Sequence, residues 1–131
     1  MVRKKKILVV DDDPVVRDVF YIIFEQAGYD VDLMPDGNRL LKNKFSTPDL
    51  FLIDKLLSGV NGLDVCRHLK SLENTRHIPV IMISASPGLA VQSADAGADG
   101  YIEKPFDRMD LLNLVAKHIN RTKTSRRTKT T

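Results

Sequence analysis

Lys6-Ile7-Leu8-Val9-Val10-Asp11-Asp12-Asp13-Pro14-Val15 is the stretch on which the fold turns. Five residues, four of them apolar, make a strand short enough and hydrophobic enough to be buried on both faces. The three acids then end it. Asp13-Pro14 reads as a helix N-cap followed by proline at the first helical position, where no backbone donor is lost. Val16, Val19, Phe20, Ile23 and Ala27 continue at helical spacing, and Gly28 supplies the stop. A strand feeding straight into a helix is the first half of a βα unit.

The same grammar repeats outward. Tyr29, Val31 and Leu33 alternate with acids, which predicts a second strand exposed on one side. Asp36-Gly37 opens a short helix through Leu40 and Leu41. Pro48 breaks it, and Leu50-Phe51-Leu52-Ile53 is a third strand. Val65, Cys66, Leu69 and Leu72 mark a third helix. Pro79 precedes a fourth strand, Val80 to Ser84. A weak helix is expected over Leu89 to Ala96 with Gly97 as its stop, then a brief strand over Tyr101-Ile102-Glu103. Asp107 caps a last helix with Leu111, Leu112, Val115 and Ile119 inward. Five apolar strands alternating with helices predict an α/β fold: a doubly wound, five-stranded parallel sheet in the flavodoxin-like order 2-1-3-4-5.

Composition sets the outer limits. The chain has 131 residues, 43% hydrophobic and 28% charged, enough for one soluble domain and too few for two. No stretch approaches the ~18 apolar residues of a membrane span, and the apolar run after the basic N-terminus is too short for a signal peptide. One cysteine, Cys66, excludes a disulfide framework, so a cytoplasmic setting is the default. The net charge of +3 is unevenly spread: five basic residues and no acid fall in residues 121–131, and removing those five leaves −2. Residues 1–120 are therefore read as the folded domain and 121–131 as a basic, disordered tail. Without aromatic or groove-forming partners, that tail is read as a solvated terminus, with no direct nucleic-acid binding and no membrane insertion.

Ligands in such sheets bind beyond the carboxyl ends of the strands. There the topology gathers Asp11, Asp12 and Asp13 from the first strand, Asp54 from the third, Ser84 from the fourth and Lys104-Pro105 after the fifth. Carboxylates at close range repel, and a hard cation relieves that; magnesium takes one or two carboxylates, waters and a phosphate oxygen. Lysine adds a point charge suited to phosphate and serine a hydroxyl donor.

In these features the chain resembles the receiver domain of two-component response regulators, over residues 6 to 119. The matching segments are Ile7 to Pro14, Asp49 to Asp54, Gly62 to Arg67, Ile78 to Ala85 and Gly97 to Phe106. The resemblance implies a phosphoacceptor signalling domain rather than an enzyme, though one assisting its own phosphotransfer and dephosphorylation. Asp54 would accept a phosphoryl group from a phosphohistidine on a histidine kinase or phosphotransfer protein. Asp12 would bind Mg2+ directly, Asp11 through water, and Asp54 and the backbone carbonyl of Leu56 would complete the ligands. Ser84 and Lys104 would hold phosphoryl oxygens. Tyr101 would move with Ser84 and switch a surface for a downstream protein.

Three departures stand out. Ser58 occupies a position where the family usually has proline, Lys55 follows the acceptor where an apolar residue is commoner, and Ser84 to Lys104 spans 20 positions, about two fewer than usual. The main alternative is a haloacid dehalogenase-like phosphatase with Asp11 as nucleophile, because Asp11 to Val15 fits D-x-D-x-[T/V] after an apolar strand. A degenerate, binding-only receiver and a DNA-binding regulator are weaker alternatives, since the acidic set is intact and no output domain lies within these residues. Elsewhere the expectations are structural: Asp13 is mainly a cap, Cys66 an inert core thiol, and His68, His77 and His118 surface or half-buried residues.

Overall fold

A computed structural model describes residues 3–120 with their side chains, and beyond them only the backbone course of the last helix. The elements, in order, are β1 (Lys6–Val10), α1 (Pro14–Gln26), β2 (Asp30–Met34), α2 (Asn38–Leu41) and β3 (Leu50–Asp54), then α3 (Gly62–Ser71), β4 (Val80–Ser84), α4 (Leu89–Asp95), β5 (Gly100–Glu103) and α5 (Arg108–Thr130). The five strands are all parallel and ordered β2-β1-β3-β4-β5. The reading of residues 121–131 as a disordered tail lies outside the fully described residues.

The alternation of side chains along each central strand divides the core into two halves. Leu8, Val10, Phe51, Ile53, Val80 and Met82 face one way and meet Leu40 of α2, Leu63, Val65, Cys66 and Leu69 of α3, and Leu89 of α4. Ile7, Val9, Leu50, Leu52, Ile81 and Ile83 face the other way and meet Phe20, Ile23 and Phe24 of α1 and Leu111, Val115 and Ile119 of α5. Each fully buried side chain of this size contributes about 1.5–3 kcal/mol of hydrophobic transfer energy. β1, β3 and β4 therefore read as continuous apolar runs because water reaches neither face.

Local signals set the helix ends. Asp13 accepts hydrogen bonds from the Val15 and Val16 amides and caps α1. At the other end Gly28 takes φ +95°, a conformation that costs an L side chain energy. At the strands' amino end, Lys70 of α3 clasps the entry to β4. Its Nζ donates to Asp99 Oδ2 at 2.7 Å and to the carbonyl of Ile78 at 2.8 Å.

The packing corrects three expectations. α3 ends at Ser71, so Leu72 is its C-cap and only half-buried. Leu112 is half-buried too. His118 is buried rather than superficial, because it stands seven residues after Leu111 and so shares its inward stripe. A methyl group placed on Gly100 would lie 3.0 Å from His118 Nε2, a measure of how closely α5 packs on β5.

Candidate functional site

The ladder carries its pairing past the strand ends and so fixes the rim in register. The Asp11 amide donates to Met34 O at 3.1 Å, the Lys55 amide to Ile83 O at 2.9 Å, and the Lys104 amide to Ser84 O at 2.9 Å. Asp11, Asp54, Ser84 and Lys104 thus leave adjacent strands at one level. Asp11 (1% exposed), Asp54 (5%) and Ser84 (1%) are buried there.

Lys104 ties the two buried acids together. Its Nζ donates to Asp54 Oδ2 at 2.8 Å and stands 3.5 Å from Asp11 Oδ2. The remaining carboxylate oxygens are held by backbone amides two residues on: Asp54 Oδ1 accepts from the Leu56 amide and Asp11 Oδ1 from the Asp13 amide, both at 2.9 Å. Burial, together with the hydrogen bond and charge of neighbouring Asp54, pushes the Asp11 carboxyl up to about 6, although the Asp13 amide and Lys104 pull the other way. Burial lowers the Lys104 ammonium, but its hydrogen bond and ion pair with Asp54, then Asp11, more than offset this and leave it raised. The pocket thus pairs one firmly held cation with two crowded acids.

The other expected residues stand around this trio. Asp12 is exposed and is joined to the opposite loop by Ser58, whose hydroxyl donates to Asp12 Oδ2 at 2.7 Å. The Ser84 side chain makes no hydrogen bond to the trio's side chains. Its Oγ accepts from the Ser86 amide at 3.0 Å. Tyr101 is 42% exposed and lies on the same sheet face as its neighbour Met82. Leu56 is 60% exposed at the start of the loop after β3 and bridges to Asn61. The Lys104–Pro105 bond is cis. Cys66 is buried and its thiol is pushed up to about 11, mainly by burial, in keeping with an inert core residue.

Two contacts escaped sequence reasoning. The Ser58–Asp12 bond joins residues 46 apart, and only the unusual residue type at position 58 hinted at it. Arg17 donates to the Asp11 carbonyl at 2.8 Å from the first turns of α1, a reach that helical spacing alone does not reveal.

The donor set suits magnesium. Every ligand atom on offer is a hard oxygen, and the Lys104 ammonium already sits as a cation against two of the carboxylates. Among the described residues no three acidic, histidine or cysteine side chains converge as a cage. Magnesium does not need one, since it keeps waters and completes its shell with a phosphate oxygen.

Comparison with known proteins agrees with this geometry. The response regulator receiver domain matches residues 7–116. The chain is 40% identical over 121 residues to the DNA-binding dual master transcriptional regulator RpaA of Synechocystis sp., covering 89% of this chain and 50% of RpaA. It is 35% identical to the DNA-binding response regulator MtrA of Mycolicibacterium smegmatis, covering 90% of this chain and 52% of MtrA. The chain therefore spans about half the length of these curated relatives. Among solved structures it superposes on a CheY-like receiver domain protein from Methanospirillum hungatei with a TM-score of 0.84, at 29% identity over 94% of this chain and 99% of that one. It superposes equally well in sequence terms (29%, TM-score 0.82, 90% and 99% covered) on the receiver domain of a sensor histidine kinase from Pseudomonas aeruginosa. That structure has a magnesium ion coordinated in its active-site cleft. None of these matches supports the phosphatase alternative with Asp11 as nucleophile.

Proposed function

The chain belongs to the response regulator receiver domain family, and from that premise we propose that Asp54 is its phosphoacceptor, charged by a histidine kinase or a phosphotransfer protein in the cytoplasm. The observation that carries this is the Asp54 carboxylate itself. It is buried at the end of the central strand, with one oxygen on the Lys104 ammonium and the other on the Leu56 amide. Carboxylates serve as covalent phosphoryl acceptors, and phosphoryl transfer depends mainly on positioning and charge neutralisation.

Lys104 supplies the fixed positive charge. It moves from the Asp54 oxygen to a phosphoryl oxygen once that carboxylate becomes an acyl phosphate. Ser84, one strand away, donates to a second oxygen. Tyr101 then turns inward and changes the surface offered to a downstream protein. Asp11, Asp12, Asp54 and the Leu56 carbonyl would hold Mg2+. When bound, that ion neutralises the charge of the incoming phosphoryl group. The same residues assist hydrolysis of the acyl phosphate. Among the described residues no helix is long and apolar enough to cross a membrane. The DNA binding named for the curated relatives belongs to proteins twice this length, and we assign none to these residues.

Intact-mass spectrometry tests the reading. The chain is incubated with a small phosphodonor and Mg2+ and compared with Asp54→Asn. One phosphate is expected on the wild type and none on the variant. Phosphate on Asp11, or retained in Asp54→Asn, overturns it.

A further inference from the structure

We propose that Ser58 is a positioning residue for the metal ligand Asp12, and that its hydroxyl restricts Asp12 to one-oxygen coordination. The inference rests on the reading of Asp12 as a Mg2+ ligand. Asp12 is exposed, so packing does not hold its carboxylate. Among the described residues its side chain has one polar partner, the Ser58 hydroxyl, which donates to Oδ2 at 2.7 Å. A bond of that length from hydroxyl to carboxylate is charge-assisted and strong for its type.

Ser58 is itself presented by a braced loop. Asp54 Oδ1 holds the Leu56 amide, Leu56 bridges to Asn61, the Gly62 amide donates to Lys55 O at 2.9 Å, and Asn61 caps α3 by accepting from Leu63. The turn is completed by Gly59 at φ +80°. The hydroxyl at the tip of this loop therefore has a defined place. A proline at position 58 has no hydroxyl and could not make the contact.

Two consequences follow for a cation arriving between Asp12 and the buried acids. The carboxylate does not have to be ordered on binding, because its rotamer is already selected. Partners that orient a metal ligand in this way typically change affinity by about 10–100-fold, and an exposed one by less. In addition, Oδ2 is engaged, which leaves Oδ1 for the ion. One-oxygen ligation suits the octahedral shell of Mg2+, whereas Ca2+ gains from two-oxygen carboxylates. Ser58 thus favours the smaller ion.

The test titrates the full chain with Mg2+ alone and with Ca2+ alone, without phosphodonor, following backbone amide shifts at residues 11–13 and 54–58. In Ser58→Ala the Mg2+ dissociation constant is expected to rise about three- to tenfold. The Mg2+ preference over Ca2+ should fall, and Ser58→Thr, which keeps the hydroxyl, should return both to roughly wild-type values. Unchanged Mg2+ affinity in Ser58→Ala, an unchanged Mg2+ to Ca2+ ratio, or no recovery in Ser58→Thr overturns the proposal. Because no phosphoryl group is involved, these outcomes are independent of whether Asp54 is the acceptor, which the mass spectrum decides.

Discussion

Asp11 sits 3.5 Å from the Lys104 ammonium, yet it keeps its proton up to about pH 6, because burial and the neighbouring Asp54 outweigh that one cation. Its ordinary value is 3.8. Between those two values the unfolded chain is ionised while the native protein still binds the proton. Asp11 therefore takes stability away as pH rises from about 4 to about 6, and the loss is complete above that window. At about 1.4 kcal/mol per pKa unit the full effect is on the order of 3 kcal/mol. Urea unfolding of the metal-free protein at pH 4 and 7.5 measures it. Asp11→Asn, which keeps the oxygen facing the Asp13 amide, should be more stable than wild type at pH 7.5 and about equal to it near pH 4. An equal difference at both pH values would show that Asp11 is ionised throughout. Excess Mg2+ should narrow the gap at pH 7.5 by stabilising the wild type, since a ligand of the native state alone raises stability by mass action.

The junction of β3 with α3 shows how closely two elements must approach to build the rim. A Cβ on Gly62 would fall 2.0 Å from the carbonyl oxygen of Asp54, a backbone atom that cannot swing aside. Gly62→Ala should therefore cost about 2 kcal/mol or more, through displacement of the first turn of α3. A lower urea midpoint with an unchanged m-value is the expected signature, and a wild-type midpoint would mean that α3 moves freely. The elements themselves were largely legible in the sequence. β1, β3 and β4 declared themselves because both faces are covered and no polar residue interrupts them. Pro14, Gly28 and Gly97 marked helix ends by backbone conformation alone. β3 includes Asp54, one residue beyond the apolar run Leu50 to Ile53, because its backbone still pairs with Ile83. The rim residues were legible as a set because each follows an apolar run. What the sequence could not reveal were contacts made only by folding: Lys70 on Asp99, His118 against Gly100, and Ser58 on Asp12. For Lys70 and Ser58 nothing in local pattern distinguishes the side chain from a solvated one, whereas the helical spacing of His118 from Leu111 did carry the signal of its burial.

Across the whole molecule, the acid rim and the outer face of β5 are linked through one rung of the sheet. The Lys104 amide donates to Ser84 O, so a shift of Ser84 toward a phosphoryl group is felt by the backbone that carries Lys104. Tyr101 lies two residues before the partner of Ser84, on the same sheet face, and is exposed. α4 covers that face, and it is poorly satisfied. Gln92 Oε1 and Ser93 Oγ are the two buried side-chain polar atoms among the described residues that have no hydrogen-bond partner. Each such group costs about 1–3 kcal/mol in the present packing. Rearranging α4 therefore sacrifices less than rearranging α1, whose face is filled by the stacked rings of Phe20, Phe24 and Phe106. A phosphoryl mimic can move this equilibrium only through contacts that differ between the two states. On the proposed reading Ser84 and Lys104 would make those contacts, with the Ser84 hydroxyl, which accepts from the Ser86 amide at 3.0 Å, donating to the mimic. With beryllofluoride and Mg2+, backbone amide shifts should extend from residues 11–13, 54–58 and 104 through 84–103, with a changed ring environment at Tyr101, while the inner turns of α1 stay in place. In Ser84→Ala the mimic should still bind, but the shifts over α4 and Tyr101 should shrink to a small fraction. Shifts confined to the rim in the wild type would show that the connection between Ser84 and Lys104, two residues shorter than is usual, holds α4 rigidly and breaks the coupling.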